Sequence, residues 1–377
     1  MKKIWKYILI VLMMLLNWQS VLAQENKTVV NYWYARVLNV QDTENEINGE
    51  KQSMQKVEIE MLDGEKKGEK LQFDNNPSAY EDNDRYLRAG DKIVISYQVV
   101  GDEAKIAFSD FVRTGQIGFL IFIFVVLLLV ISGFKGIRSI ISFGWVLLNI
   151  IYFIRGVLAG NNVYLLVLVM AISIVVGSSI ILVGWDRKMW LVVLSSLFGL
   201  LISTILVLGV GHWAHFSEIG LEDANLFHLS GALKDLDYVR IIYAGMIIGA
   251  LGSMMDITIS IVAGVEETIN MIKEKKVRRF EKNELFESGL NIGREIMVVN
   301  ANTLILAYAG SSITIWLIAI SQGYSGGLLW NFNMIFVEVL RILAGTIGIF
   351  ATIPIAAWLS SRMMIFERSY SFESEEQ

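Results

Sequence analysis

The chain has no cysteine, so disulfides, thiolate metal sites and cysteine nucleophiles are excluded. It is poor in charge as well. Only 18% of its 377 residues are charged and the formal net charge is −5. Nothing in that balance resembles the clustered basic face that displaces counterions from nucleic-acid phosphates, and no RNA or DNA motif is present, so no nucleic-acid partner is expected. Enzyme signatures are mostly missing too: there is no Walker A loop, no H-E-x-x-H and no G-x-G-D. "GALG" after Ile248 follows no strand and reads as glycine packing rather than a nucleotide fingerprint. The expectation is a protein that is not an enzyme and needs no cofactor.

What is present is hydrophobic: 54% of the residues are apolar, only two are proline, and the apolar ones concentrate after about residue 116. Residues 1–23, "MKKIWKYILIVLMMLLNWQSVLA", have a basic start, an apolar run and the small-residue ending Val21-Leu22-Ala23. They read as a signal peptide or as an uncleaved N-terminal anchor, and either places residue 24 onward outside the cytoplasm. Residues 24–113 alternate with period two in runs such as "KVEIEM" and "KIVISYQV", with Asp63-Gly64 and Gly90-Asp91 at turns. That pattern predicts a small extracytoplasmic all-β domain, barrel or sandwich, with a hairpin over 61–73. Its aromatic strand "VVNYWYARVLNV" (29–40) suits core packing or a ligand face.

Residues 114–360 hold seven apolar runs, at about 116–134, 139–158, 163–184, 189–210, 239–264, 298–321 and 334–359. Each is near the ~20 residues that a helix needs to cross the hydrocarbon of a bilayer. Lys135 and Arg138, Arg187 and Lys188, the segment "KEKKVRRFEK" (273–282), and Arg362 and Arg368 all fall on one side of such a layout, which makes that side cytoplasmic and 361–377 a cytoplasmic tail. Arg155, near the outer end of the second run, is the exception and can snorkel to the headgroups. The fold expected is an α-helical polytopic membrane domain of about seven transmembrane helices behind the β-domain. Its partners would be the lipid bilayer and a protein partner or a homo-oligomer, with the basic 273–282 segment an ordinary inner loop or a recruitment site.

An ionised carboxylate in hydrocarbon costs at least ~3 kcal/mol on insertion scales, so Asp256 in the fifth run needs a reason to be there. Gly245, Gly249 and Gly252 share its helical face, a register that lets another helix approach closely. Asn302 and Thr303, in the antiparallel sixth run, fall at roughly the same depth. Asp256, Asn302 and Thr303 form a polar cluster, either a structural clamp or an ion or substrate site. In the seventh run Glu338 and Arg341 are spaced i, i+3, close enough to neutralise one another as an outer gate or ion pair, and Gly345 and Gly348 continue a packing face. His212 and His215, beside Glu218, Glu222, Asp223 and His228 in the outward loop, are weak metal candidates without a full motif, so no metal site is assigned.

"DYVRIIYAGMIIGALGSMMDITISI", "GLNIGREIMVVNANTLILAYAG" and "EVLRILAGTIGIFATIP" resemble the YibE/F-like family of bacterial multi-pass membrane proteins, over most of residues 116–360. The preceding β-domain resembles that of the longer family members. The resemblance implies a bacterial plasma-membrane protein whose marked positions match Gly249, Gly252, Asp256, Gly293, Arg294, Asn302, Thr303, Glu338, Arg341, Gly345 and Pro354, and it implies no established activity. This chain departs from the family pattern at Val298 and Val299, where small residues precede N-T-L, and at "ITIW", where a proline follows the glycine-serine segment. Two functions remain open: a permease for a small solute or ion using Asp256, or a non-transporting scaffold or accessory subunit that recruits partners through the β-domain and the basic loop.

The charge pattern makes a topology prediction. A cysteine introduced at Asn225 is expected to react with an impermeant maleimide on intact cells, whereas one at Lys276 reacts only after permeabilisation. Labelling at Lys276 in intact cells would reverse the layout.

Overall fold

Successive side chains of a strand face opposite ways, so alternating sequence needs a sheet with one covered face. The structure, a computed structural model, describes residues 31–47, 50–77, 86–100, 103–218, 233, 236–274 and 282–375. Five strands, β1 (Asn31–Ile47), β2 (Glu50–Met61), β3 (Lys70–Asn75), β4 (Lys92–Val100) and β5 (Glu103–Phe111), make one antiparallel sheet in the order β3-β2-β1-β4-β5. Ala35, Val37, Val57, Ile59, Met61, Ile93 and Ile95 fill its covered side. β3 also approaches β5, so the sheet curls into a small half-barrel. Register slips between Val37 and Asn39 and between Val94 and Ile95 mark where strands bend to allow that curl.

Two details lock the half-barrel. Gln55 is buried, yet its amide is fully used: Nε2 donates to Asp42 Oδ1 at 2.9 Å and to the Leu87 carbonyl at 3.3 Å, while Oε1 accepts from the Leu87 N–H at 2.9 Å and from Asn75 Nδ2 at 3.2 Å. The β2–β3 connection is the hairpin expected over 61–73. Within it Gly64 has φ +77°, and a Cβ there would lie 2.6 Å from the Trp33 ring, so both backbone and space demand glycine.

The helices are α1 (Thr114–Ser132), α2 (Phe134–Leu158), α3 (Val163–Leu182), α4 (Arg187–Trp213), α5 (Tyr238–Glu274), α6 (Lys282–Ser311), α7 (Ile313–Ser321), the short α8 (Gly327–Trp330) and α9 (Asn333–Glu375). Six are long and apolar enough to cross a membrane, and α6 with α7, bent by 53° between them, make seven if the pair is counted as one span. The sheet and nearly all of α1 belong to one compact unit, α2–α9 to a second.

In the helical unit, α4, α5, α6 and α9 pack around one another, with α3 against α4 and α5 and α2 against α3. Lipid tails are as apolar as leucine, so close approach of backbones has to do what burial does in water. The tightest crossing is α4 on α9. A Cβ on Gly199 would lie 2.8 Å from the Gly348 carbonyl and strike the Thr352 hydroxyl, and one on Gly348 would lie 3.0 Å from the Gly199 carbonyl. Ser196 and Ser203 flank Gly199 on the same face of α4. Both are buried, and Ser196 Oγ donates to Thr258 Oγ1 of α5 at 3.3 Å. Gly289 and Gly293 bring α6 onto α9, where added Cβ atoms would meet Ala357 at 3.0 Å and the Ile353 side chain. Gly345 packs against Leu304 and Ala250 in the same manner.

This crossing predicts a contrast within one helix. Gly199→Leu drives a side chain into backbone and is expected to lower stability by about 1–3 kcal/mol or more. Gly209→Leu, where an added Cβ meets nothing within 4 Å, should be tolerated. Melting of the two variants in detergent checks this, and equal midpoints would refute the close crossing.

Candidate functional site

The span formed by α6 and α7 breaks at Ser312, and a break inside a span exposes backbone that neighbours must satisfy. Ser312 is 1% exposed. Its hydroxyl lies 3.0 Å from Glu338 Oε2 and also contacts the Tyr308 carbonyl. A hydroxyl carries one proton, so Ser312 donates to one of these acceptors at a time. Glu338 comes from α9 and is 7% exposed, and Arg341 Nη1, one turn on, donates to Glu338 Oε1 at 2.7 Å. The Arg341 guanidinium stands 5.6 Å from the centre of the Tyr308 ring, and the Tyr308 phenol reaches Gly249 of α5. Ser312, Glu338, Arg341 and Tyr308 thus form one continuous polar group at the bend. The i, i+3 spacing of Glu338 and Arg341 makes their pairing legible in the sequence. No motif points to Ser312 or Tyr308, and the interruption "GSS" at 310–312 in an apolar run is the one signal that could have found them.

Asp256 sits on the face of α5 that the chain itself leaves open. Gly245, Gly249, Gly252 and Asp256 are all exposed, and a Cβ at Gly245 or Gly252 would meet nothing within 4 Å. The glycine face therefore points away from the bundle core, except where Tyr308 crosses Gly249. Three contacts fix the antiparallel register of α5 on α6: Gly249 with Tyr308, Ile261 with Gly293, and Gly264 with Ile292. Interpolating between them places Asp256 level with Asn300, about one turn or less from Asn302 and Thr303. Asn302 and Thr303 are exposed too. Among the described residues no hydrogen bond joins them to Asp256. Thr303 Oγ1 donates instead to the Val299 carbonyl at 2.9 Å, and Ser260 Oγ donates to the Asp256 carbonyl at 2.8 Å. The three polar residues lie near one level and are each exposed, but within one chain they do not clamp one another.

Other polar groups are dispersed. At the end of the bundle where α4 begins, Lys188 pairs with Glu266 of α5 and lies 3.9 Å from Asp186. The hydroxyls of Ser178, Ser179, Ser195 and Ser203 are buried without a hydrogen-bond partner among the described residues. His212 lies in the last turn of α4 and His215 follows in the turn with φ 52°, both exposed. Among the described residues no three His, Asp or Glu side chains converge as a metal site, while Glu222, Asp223, His228 and most of the 273–282 segment lie outside them.

A half-barrel followed by six to seven long apolar spans, with an ion pair inside the bundle, defines a multi-pass membrane protein. Residues 120–365 match the model of the YibE/F-like protein family, and residues 31–110 match that of the YibE/F family N-terminal domain. The chain belongs to the YibE/F-like protein family. No curated protein and no solved structure matches it.

The geometry at the bend predicts non-additive mutations. Arg341→Met alone leaves Glu338 buried without its cation and should cost about 3 kcal/mol, the low end for breaking a buried pair. Glu338→Leu with Arg341→Met should recover most of that loss. A detergent melting cycle reads the difference, and simple additivity would show that the pair is not coupled.

Proposed function

We propose that this protein is a permease of the bacterial cell membrane that moves a small solute or ion, with the half-barrel on the extracytoplasmic side and the C-terminus in the cytoplasm. The observation that carries the reading is the bent α6–α7 span with the Ser312–Glu338–Arg341 group at its break. Discontinuous helices are where transporters bring backbone and charge to a solute, and a straight packing helix has no need of one. In this reading Asp256 is the carboxylate that binds the solute or exchanges a proton, with Asn302 and Thr303 near its level. The Glu338–Arg341 pair gates the other end, with Tyr308 standing between the two places. Asp256 lies seven residues along α5 from the Gly249–Tyr308 contact, a rise of about 10 Å. No chemical step is assigned to the protein.

A scaffold reading has one observation of its own. Tyr32 and Tyr34 on β1 are 62% and 44% exposed, a pair of aromatic side chains available to a partner.

Asp256 has no side-chain partner among the described residues, so Asp256→Asn removes charge without breaking a contact. Currents recorded on a solid-supported membrane, while a panel of inorganic ions, organic anions and amino acids is applied, detect charge movement whichever solute carries it. Wild-type proteoliposomes should give a current that the stably inserted Asp256→Asn variant lacks. A fully active Asp256→Asn variant would sink this mechanism, and silence of the wild type across the panel would favour the scaffold.

A further inference from the structure

At the bend of the α6–α7 span, hydrogen-bond donors outnumber the acceptors that reach them. The Arg341 guanidinium has five N–H donors, and among the described residues only one, on Nη1, has an acceptor, Glu338 Oε1 at 2.7 Å. The Arg341 side chain is 24% exposed against 9% for Glu338, so the cation is the more accessible partner. α7 adds further donors. Ser312 is its N-cap residue yet makes no capping bond, because its hydroxyl is turned to Glu338 and the Tyr308 carbonyl. Among the described residues the first-turn N–H groups of Ile313, Thr314 and Ile315 have no acceptor. Against this set stands one carboxylate, Glu338.

We propose that the bend is a recognition site for a small carboxylate solute, which takes the place of Glu338 on the Arg341 guanidinium. The inference rests on the permease reading above and names the class of its solute. Glu338 is the chain's own stand-in for that solute and marks the chemistry the site accepts. A guanidinium fork matches the two oxygens of one carboxylate, but Glu338 divides its oxygens, Oε1 to Arg341 and Oε2 to Ser312, so the fork is left half used. Tyr308 presents its ring 5.6 Å from the guanidinium, which steadies the cation without consuming an N–H. A cationic solute would meet like charge at Arg341, and a phosphate dianion would bring two charges to one cation. With the solute carboxylate held at the bend, proton exchange is the role left to Asp256.

The test reads binding apart from flux, as the melting midpoint of the purified full-length protein in detergent against rising sodium acetate, lactate or pyruvate, with ionic strength balanced by sodium chloride. At least one of these carboxylates should raise the wild-type midpoint saturably, and neither phosphate nor choline should. Glu338→Gln removes the competing charge and should bind the same carboxylate about tenfold tighter. Arg341→Lys keeps the charge without the fork and should bind it about tenfold weaker or not at all. Where Arg341→Lys does not fold, Glu338→Gln alone decides. A panel that leaves the wild-type midpoint unmoved, an unchanged affinity in Glu338→Gln, or phosphate or choline acting as strongly as a carboxylate overturns the proposal. The two readings fail separately: carboxylate stabilisation with silent proteoliposomes refutes transport and keeps the site, whereas currents carried by cations without that stabilisation keep the permease and refute the site.

Discussion

Everything in the helical unit is placed by the approach of α4 to α9, where Gly199 and Gly348 leave two backbones in contact. In lipid no solvent-driven burial holds helices at a distance of their choosing, so the separation is set by the smallest side chains at the crossing. With α9 fixed there, Gly345 seats it against α5 and α6, and Ile353 and Ala357 fill the notches at Gly293 and Gly289. Those contacts determine how far along α9 the break of the α6–α7 span falls, and Glu338 sits there. The contact of Ser312 with Glu338 thus depends on packing further along the same helix.

The sequence makes some of this legible and hides the rest for definite reasons. Spans are written in composition, because hydrocarbon requires a run of apolar residues, and the bend at Ser312 announces itself only as small polar residues inside one run. Glu338 and Arg341 can be paired because one helical turn is local. The face of Gly245, Gly249 and Gly252 can be drawn as well, but periodicity gives the direction of a face and not what lies opposite, and in the folded chain that direction is outward. The seam of Ser196, Gly199 and Ser203 is illegible because α4 is apolar all round, so no face stands out by contrast. In the β-domain, alternation identifies strands but not barrel over sandwich. Curling depends on β3 meeting β5 and on Gln55 tying down Leu87, contacts between residues far apart in sequence.

The two polar places differ in kind. At the bend, charge is neutralised within the chain: carboxylate, guanidinium, hydroxyl and aromatic ring contact one another, and the low dielectric strengthens each contact. On the open face of α5 the same low dielectric works against the chain, because the carboxylate there has no partner among the described residues. A protein with both arrangements in one bundle has a closed polar group at a bend and an open carboxylate on a helix face.

One helix stands apart from these constraints. α1 contributes no buried residue, although it is among the most apolar segments of the chain. A helix with no buried residue is specified by length and solubility in oil rather than by the order of its letters. Within this chain, α1 is the span whose amino-acid sequence carries the least structural information.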